Sequence, residues 1–217
     1  MSPDGGFLPF YGLYPALVTD LVDPEKLGRI QVKLPWLGGE GDGVRAWATL
    51  LSPYADKDQG FEVLPEVDSQ VVVAFEAGDP RRPYIVGACW NGKEPLPEEA
   101  AAANDKRLIK TRSGSVLEFD DKAGAPKVTL SMKSGHKVVL DDAAQTVTLT
   151  HSGGSTVVFT AGGQIELRAN VSVDLYASIV NVHAPMAIFD GVVKCQTLIA
   201  ETAVVSPSYT PGAGNVW

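Results

Sequence analysis

The side chains that could do chemistry are few. Three histidines stand at positions 136, 151 and 183, and two cysteines at 89 and 195. Aspartates occur in adjacent pairs at Asp120-Asp121 and Asp141-Asp142, and Arg81 and Arg82 follow Gly78-Asp-Pro80. Nucleophilic catalysis needs a Ser or Cys beside a histidine and an orienting acid. None of these histidines falls in a Gly-x-Ser-x-Gly context. His136 and His151 instead flank Ser-Gly turns, and no catalytic residue is assigned. The aspartate pairs would suit acid/base work or calcium. Each pair, however, follows a β-type run and precedes a turn, where an aspartate bonds the backbone two residues on. Arg81 and Arg82 would bind an anion or, in an assembly, pair with Asp79 or Glu76. The cysteines lie too far apart for a disulfide framework and read as small buried hydrophobes. No cofactor and no metal is expected. His183 is the one exception to weigh, since three copies on a threefold axis would converge, although a lone histidine is more often packed or solvated.

Composition narrows the partners. The 217 residues carry 18 basic and 26 acidic side chains, a net charge of −8. Phosphate binding normally shows a basic excess, so nucleic acid is not an expected partner. No run is long and apolar enough for a transmembrane helix. The first basic residue is Lys26, so no secretory signal is read and synthesis in the cytoplasm is expected.

The elements that must position these residues are strands. Helix-favouring composition appears only at Pro97-Glu-Glu-Ala-Ala-Ala-Ala-Asn104, expected to be a linker with one helical turn. Before it come five β-type runs, at Ala16–Leu21, Arg29–Leu34, Ala46–Leu51, Gln70–Phe75 and Tyr84–Ala88. Ile30, Val32 and Leu34 alternate with polar neighbours, as in a strand wet on one face. Val71 to Phe75 is apolar throughout, which suits a central strand. Five strands with turns at Asp23-Pro24, Gly38-Gly39 and Gly78-Asp-Pro80 fit a small closed barrel of the OB type. A five-stranded sandwich gives nearly the same pattern.

The middle of the chain repeats. Ser113-Gly-Ser-Val-Leu-Glu-Phe-Asp-Asp121 returns as Ser134-Gly-His-Lys-Val-Val-Leu-Asp-Asp142, and more loosely as Ser152-Gly-Gly-Ser-Thr-Val-Val-Phe-Thr160. Lys127–Ser131, Gln145–Thr150 and Gln164–Arg168 lie between and after the copies. A fixed period of strand and turn marks a repeat architecture whose unit cannot bury its own apolar face. After Ala169 the apolar runs shorten, and only Asp174, Asp190, Lys194 and Glu201 carry charge. A lone chain with such a surface would be sticky. Several copies braided about an axis would bury it and close the strand edges. The expected buried positions are Val171, Val173, Leu175, Val180, Val182, Ile188, Val192, Leu198 and Val204. A wide solenoid of one chain is the competing geometry.

Certain residues point to a family. Gly28-Arg-Ile-Gln-Val-Lys-Leu-Pro-Trp36 is followed by Trp47-Ala48, Ser52-Pro53, Leu64-Pro-Glu-Val67 and Val71-Val-Val-Ala-Phe-Glu76. Then come Gly78-Asp-Pro-Arg-Arg-Pro-Tyr-Ile-Val-Gly87, Asn91-Gly92 and Arg107-Leu-Ile-Lys-Thr-Arg-Ser-Gly114. This order resembles phage baseplate assembly protein V and the valine–glycine repeat (Vgr) spikes of contractile tails and injection systems. The motif positions are Gly28, Pro35, Trp36, Trp47, Pro65, Gly78, Asp79, Pro80, Arg82, Pro83 and Gly87. The resemblance implies an all-β chain: an OB-fold barrel, then an intertwined trimeric β-helix or β-prism needle. It divides the sequence into an arm (1–13), OB domain (14–93), linker (94–110), β-repeat shaft (111–168), needle (169–206) and tip-proximal tail (207–217).

The implied function is structural and non-enzymatic. A homotrimeric central spike would dock on a hub and pierce a target envelope, assembled in the baseplate of a virion or injection particle. Implied partners are a separate hub protein, baseplate and tube components, a small tip protein of the Pro-Ala-Ala-Arg (PAAR) type, and, transiently, the target membrane. The tail breaks the strand pattern and ends in an apolar anchor, so Tyr209, Val216 and Trp217 are candidates for holding the tip. Two rival readings remain: an OB module for oligosaccharide or single-stranded nucleic acid, and a spike with envelope-degrading activity.

Overall fold

The computed structural model describes residues 9–38 and 43–207. The chain separates into two units, residues 1–168 and 169–217. Strands β1 (Tyr14–Asp20), β2 (Arg29–Leu34), β3 (Val44–Leu50), β6 (Gln70–Phe75) and β7 (Pro83–Ala88) close a barrel in the order β1-β2-β3-β7-β6. All its pairings are antiparallel except β3 with β7. A two-residue hairpin, β4 (Ala55–Asp56) and β5 (Gln59–Gly60), interrupts the link from β3 to β6. The five long runs of the sequence are therefore the five barrel strands, and closure leaves no barrel edge unpaired.

Alternation decides the core. Ile30, Val32 and Leu34 point inward with Ala16, Val18, Ala48, Val71, Val73, Phe75 and Ile85, and all are buried. Val72 and Ala74 lie between buried neighbours and are half-buried, because β6 is covered on one face only. At one barrel end Tyr14, Trp36 and Phe75 form an aromatic cluster that Phe10 joins. The Trp36 indole N–H donates to the Pro15 carbonyl (2.8 Å). The Phe10 N–H donates to the Gly78 carbonyl (2.9 Å), strapping Pro9 and Phe10 over this end. Gly78 has φ +81°, and a Cβ there would lie 2.8 Å from the Cβ of Pro9. Only glycine combines that left-handed backbone with so close an approach.

The repeats form a second sheet. Strands β8 (Lys106–Lys110), β9 (Val116–Asp120), β10 (Lys127–Ser131), β11 (Lys137–Asp141), β12 (Thr146–Thr150), β13 (Thr156–Phe159) and β14 (Ile165–Arg168) run as an antiparallel meander in sequence order. The Ser-Gly copies are the turns at one end of these strands and the Asp-Asp or Gly-Gly copies those at the other. Glycine recurs with positive φ where the chain reverses, as at Gly114, Gly135 and Gly154.

Two expectations need correction. Residues 97–104 carry no helical turn; they end in a β-turn in which the Asn104 N–H donates to the Ala101 carbonyl (3.0 Å). A single turn lacks the length to nucleate a helix without tertiary packing. Cys89 is exposed rather than buried, because it follows the last residue of β7, where the chain leaves the barrel. Cys195 is likewise exposed in the single chain. In the second unit, residues 169–207 carry no strand and are exposed throughout. No helix among the described residues is long and apolar enough to cross a membrane.

Candidate assembly surfaces

The turn between β1 and β2 is built on an ion pair whose acid is buried and whose arginine is partly exposed. Asp23 accepts the N–H groups of Glu25 (3.0 Å), Leu27 (3.0 Å) and Arg29 (3.3 Å). It also takes the Arg29 guanidinium in a bidentate fork, Nε and Nη2 each at 2.9 Å. The hydrogen-bonded Arg29 holds the Asp23 carboxyl well below the usual carboxylate range against the opposing effect of desolvation, and the backbone N–H groups add to this. Arg29 is raised in turn and lies over the Trp47 ring at 5.9 Å. Sequence alone reads Asp23-Pro24 as a turn; the signal it leaves unread is the arginine six residues on.

The Gly78-Asp-Pro80 loop is held in the same manner. Arg81 forks onto Asp79 and lowers its carboxyl to about 2, while Arg82 lies 3.4 Å from Glu76. Both arginines thus pair with the expected acids, within one chain. Pro80 and Pro83 are buried beside Gly78, whereas Pro35 and Gly28 lie on exposed turns. Pro65 is half-buried and Gly87 sits in β7 next to the irregularity opposite Val72 and Val73.

On the sheet, the Asp120 carboxylate accepts the Lys122 N–H (3.1 Å) and Asp141 accepts the Ala144 N–H (2.8 Å). The Asp120 bond reaches two residues on, as expected of the aspartate pairs; that of Asp141 reaches three residues on. Asp121 pairs with Arg107 at 2.8 Å. The meander also brings His136 and His151 together, with ring centroids 4.6 Å apart. Their Nδ1 atoms accept backbone N–H groups of Ser152 (3.3 Å) and Gly153 (3.0 Å). Those bonds make the rings turn caps, and among the described residues no carboxylate is hydrogen-bonded to either. No group of three metal-ligating side chains occurs among the described residues.

The main feature is a face. Across the ladder, Ile109, Leu117, Leu130, Val138, Leu149, Val157 and Leu167 stand in one register row. Two residues along each strand, Phe119, Val128, Leu140, Val147, Phe159 and Ile165 form a second, headed by Arg107. Side chains two apart share a side of the sheet, so the whole of this face below Arg107 is apolar. The middle row of the other face reads Leu108, Glu118, Thr129, Val139, Thr148, Val158 and Glu166. Much of this face is exposed among the described residues: Leu149 is 42 % exposed, Leu130 50 % and Ile165 68 %, while Leu117, Val128, Val138, Val147 and Val157 are half-buried. Period-2 alternation in Lys127-Val-Thr-Leu-Ser131 and Gln145-Thr-Val-Thr-Leu-Thr150 carried this signal. The expected buried positions all lie beyond residue 168, so this face is an addition to them.

Those nine positions, Val171 to Val204, are all exposed in the second unit, with Val171 and Val192 at 97 %. His183 is exposed as well. Tyr209, Val216 and Trp217 lie outside the described residues.

A family described as the type VI secretion system/phage-baseplate injector OB domain matches residues 14–90, the closed barrel from β1 to just past β7. The barrel is similar to that family's domain, and the chain resembles Vgr-type baseplate and spike proteins. It is 25 % identical over 134 residues to the type VI secretion system spike protein VgrG1a of Pseudomonas aeruginosa, covering 57 % of this chain and 21 % of the relative. It is 23 % identical over 128 residues to VgrG1b of the same organism, covering 54 % and 17 %. The spike protein VgrG3 of Vibrio cholerae is 25 % identical over 113 residues, covering 49 % and 11 %. The chain thus matches about a fifth or less of the length of these relatives.

Proposed function

We propose that this chain is the structural, non-enzymatic central spike of a contractile tail or injection machine and acts as a homotrimer. One observation carries the reading: a chain with a barrel like the injector OB domain continues into a sheet whose apolar face is largely exposed among the described residues. Water contact with that face is costly at about 25 cal/mol per Å², which favours covering it by association. Three sheets facing one axis would shield it and produce a rigid shaft. Stiffness then comes from the number of ladder bonds that must break together, each worth only about 1 kcal/mol net.

In this reading the barrel docks on a separate hub. Residues 169–206 braid with two other copies into the narrow needle, and residues 207–217 receive a small tip protein. Sheath contraction drives the assembly through the target envelope. The charge-poor second unit supports braiding, since exposed rows such as Val171, Val173 and Leu175 gain cover only from another chain. Light scattering on the purified chain tests the oligomer. Three copies of a 23.0 kDa polypeptide give about 69 kDa, and a stable 23.0 kDa species at micromolar concentration overturns the reading.

A further inference from the structure

The two ends of the shaft strands differ in charge. Turns 111–115, 132–136 and 151–155 share one rim, and turns 121–126, 142–145 and 160–164 share the other, because the sheet is a simple meander. The first rim, with its strand ends, carries Lys110, Arg112, Lys133, Lys137 and Arg168 and no acid. The second carries Asp120, Asp121, Asp141 and Asp142 against Lys106, Lys122 and Lys127. Ion pairs within the chain use up part of each set: Arg112 holds Glu66, Arg168 holds Glu166, and Asp121 holds Arg107. Among the described residues, Lys110, Lys133 and Lys137 remain without an ion pair on one rim. On the other, Asp120, Asp141 and Asp142 do so together with Lys122 and Lys127, while Lys106 holds Glu98 and Glu118. The second rim is therefore mixed, and its acids gather at the two Asp-Asp turns.

We infer that these rims are the two halves of one subunit contact, the basic rim of each copy seating on the Asp-Asp rim of the next, with the β10–β11 turn entering the notch between the two Asp-Asp turns. The inference rests on the trimer reading and adds which surfaces meet. A contact between unlike surfaces is heterologous, and with a threefold rotation it closes into a ring of three. Two first rims brought together would set lysines against lysines with no acid between them.

Level decides which turn meets which notch. A rotation carries no shift along its axis, so with strands crossing that axis each turn meets its neighbour's rim at its own height. Turns on the two rims alternate in height because the chain reverses at alternate ends. The β10–β11 turn, Met132–His136, therefore stands level with the gap between turns 121–126 and 142–145. A notch of about 490 Å³ lies there, lined by Phe119, Asp121, Pro126, Leu140 and Asp142 among others. Its floor is the edge of the apolar face and its lining holds four aspartates against one lysine, Lys127, which suits an incoming lysine laying its methylenes on apolar surface with the ammonium at the aspartates. Lys133 is the side chain at the turn that would reach Asp142.

The test pairs Lys133→Cys with Asp142→Cys in the full chain, with Cys89→Ser and Cys195→Ser removing the native thiols. A short bis-maleimide linker, with about the reach of a lysine side chain, applied to trimers is expected to give a covalent three-chain species on a denaturing gel, while neither single-cysteine variant cross-links beyond background. A companion variant, Lys133→Glu with Lys137→Glu, is expected to weaken association about tenfold at low salt, with a smaller loss at high salt. Adding Asp142→Lys to it should restore part of that loss. Trimers by light scattering that fail to cross-link through the cysteine pair overturn this contact and leave the trimer standing. Cross-linking by Lys133→Cys alone shows that like rims meet and also overturns it. A monomeric parent chain overturns both.

Discussion

Replacing Leu130 tests the apolar face most directly. Leu130 is 50 % exposed in the single chain, so about half of its side chain remains to be covered by assembly. Full burial of a leucine is worth about 1.5–3 kcal/mol; half of that is about 1 kcal/mol per chain and about 3 kcal/mol per trimer. Leu130→Ala is therefore expected to weaken trimer association by about 100-fold. Leu130→Asp goes further, since it asks three unpaired carboxylates to enter an apolar interior at several kcal/mol each. Trimers should then be absent at micromolar concentration. Thr148→Asp is the matched control: it stands on the opposite face between Val139 and Val158, and trimers should survive it. Sedimentation or light scattering across a concentration series reads both. A Leu130→Asp chain that remains trimeric, or a Thr148→Asp chain that dissociates equally, refutes the assignment of the faces.

Other expectations follow from the barrel and the tail. Gly78→Ala should lower the barrel's melting temperature, because the new methyl meets Pro9 at 2.8 Å on a backbone with φ +81°; an unchanged melting curve would show that the strap does not matter. Asp79 sits at about 2 rather than 3.8, so its folded-state pKa is depressed and its contribution is present above 3.8 and lost as pH falls toward 2. Asp79→Asn should flatten the acid limb of a stability-against-pH curve in that window and leave its shape near neutrality unchanged. Asp23→Asn is expected to lower stability more than Asp79→Asn, since Asp23 is buried and serves three backbone donors as well as Arg29; chemical denaturation at pH 7 compares them. Deleting Tyr209 to Trp217 should weaken capture of the tip protein while leaving the oligomer intact, as read by pull-down and light scattering, and unchanged capture removes the tail from the tip site.

Much of the barrel was legible because alternation is a local property. Ile30, Val32 and Leu34 announce which side of β2 is buried, and Gly78-Asp-Pro80 announces a turn, without knowledge of any partner strand. The Asp23–Arg29 fork was not legible. Its six-residue separation has no helical or strand period, and only the folded turn brings the two together among three backbone N–H groups. The histidine pair was hidden for the same reason: His136 and His151 are 15 positions apart, and the register of β11 on β12 makes them neighbours. Residues 97–104 misled in the other direction, because alanine and glutamate favour a helix weakly and nothing packs on them to fix one.

By itself, the sequence determined the all-β character, the five barrel strands, the repeat and its family likeness, since each depends on residue spacing along one chain. Only the tertiary structure decided that thirteen apolar side chains from seven strands share one face, and that both Asp-Asp turns lie on the rim opposite Lys133. The physical reason is register. A one-residue slip between strands would send every one of those side chains to the other side of the sheet, and pairing between strands is a choice that no single strand contains.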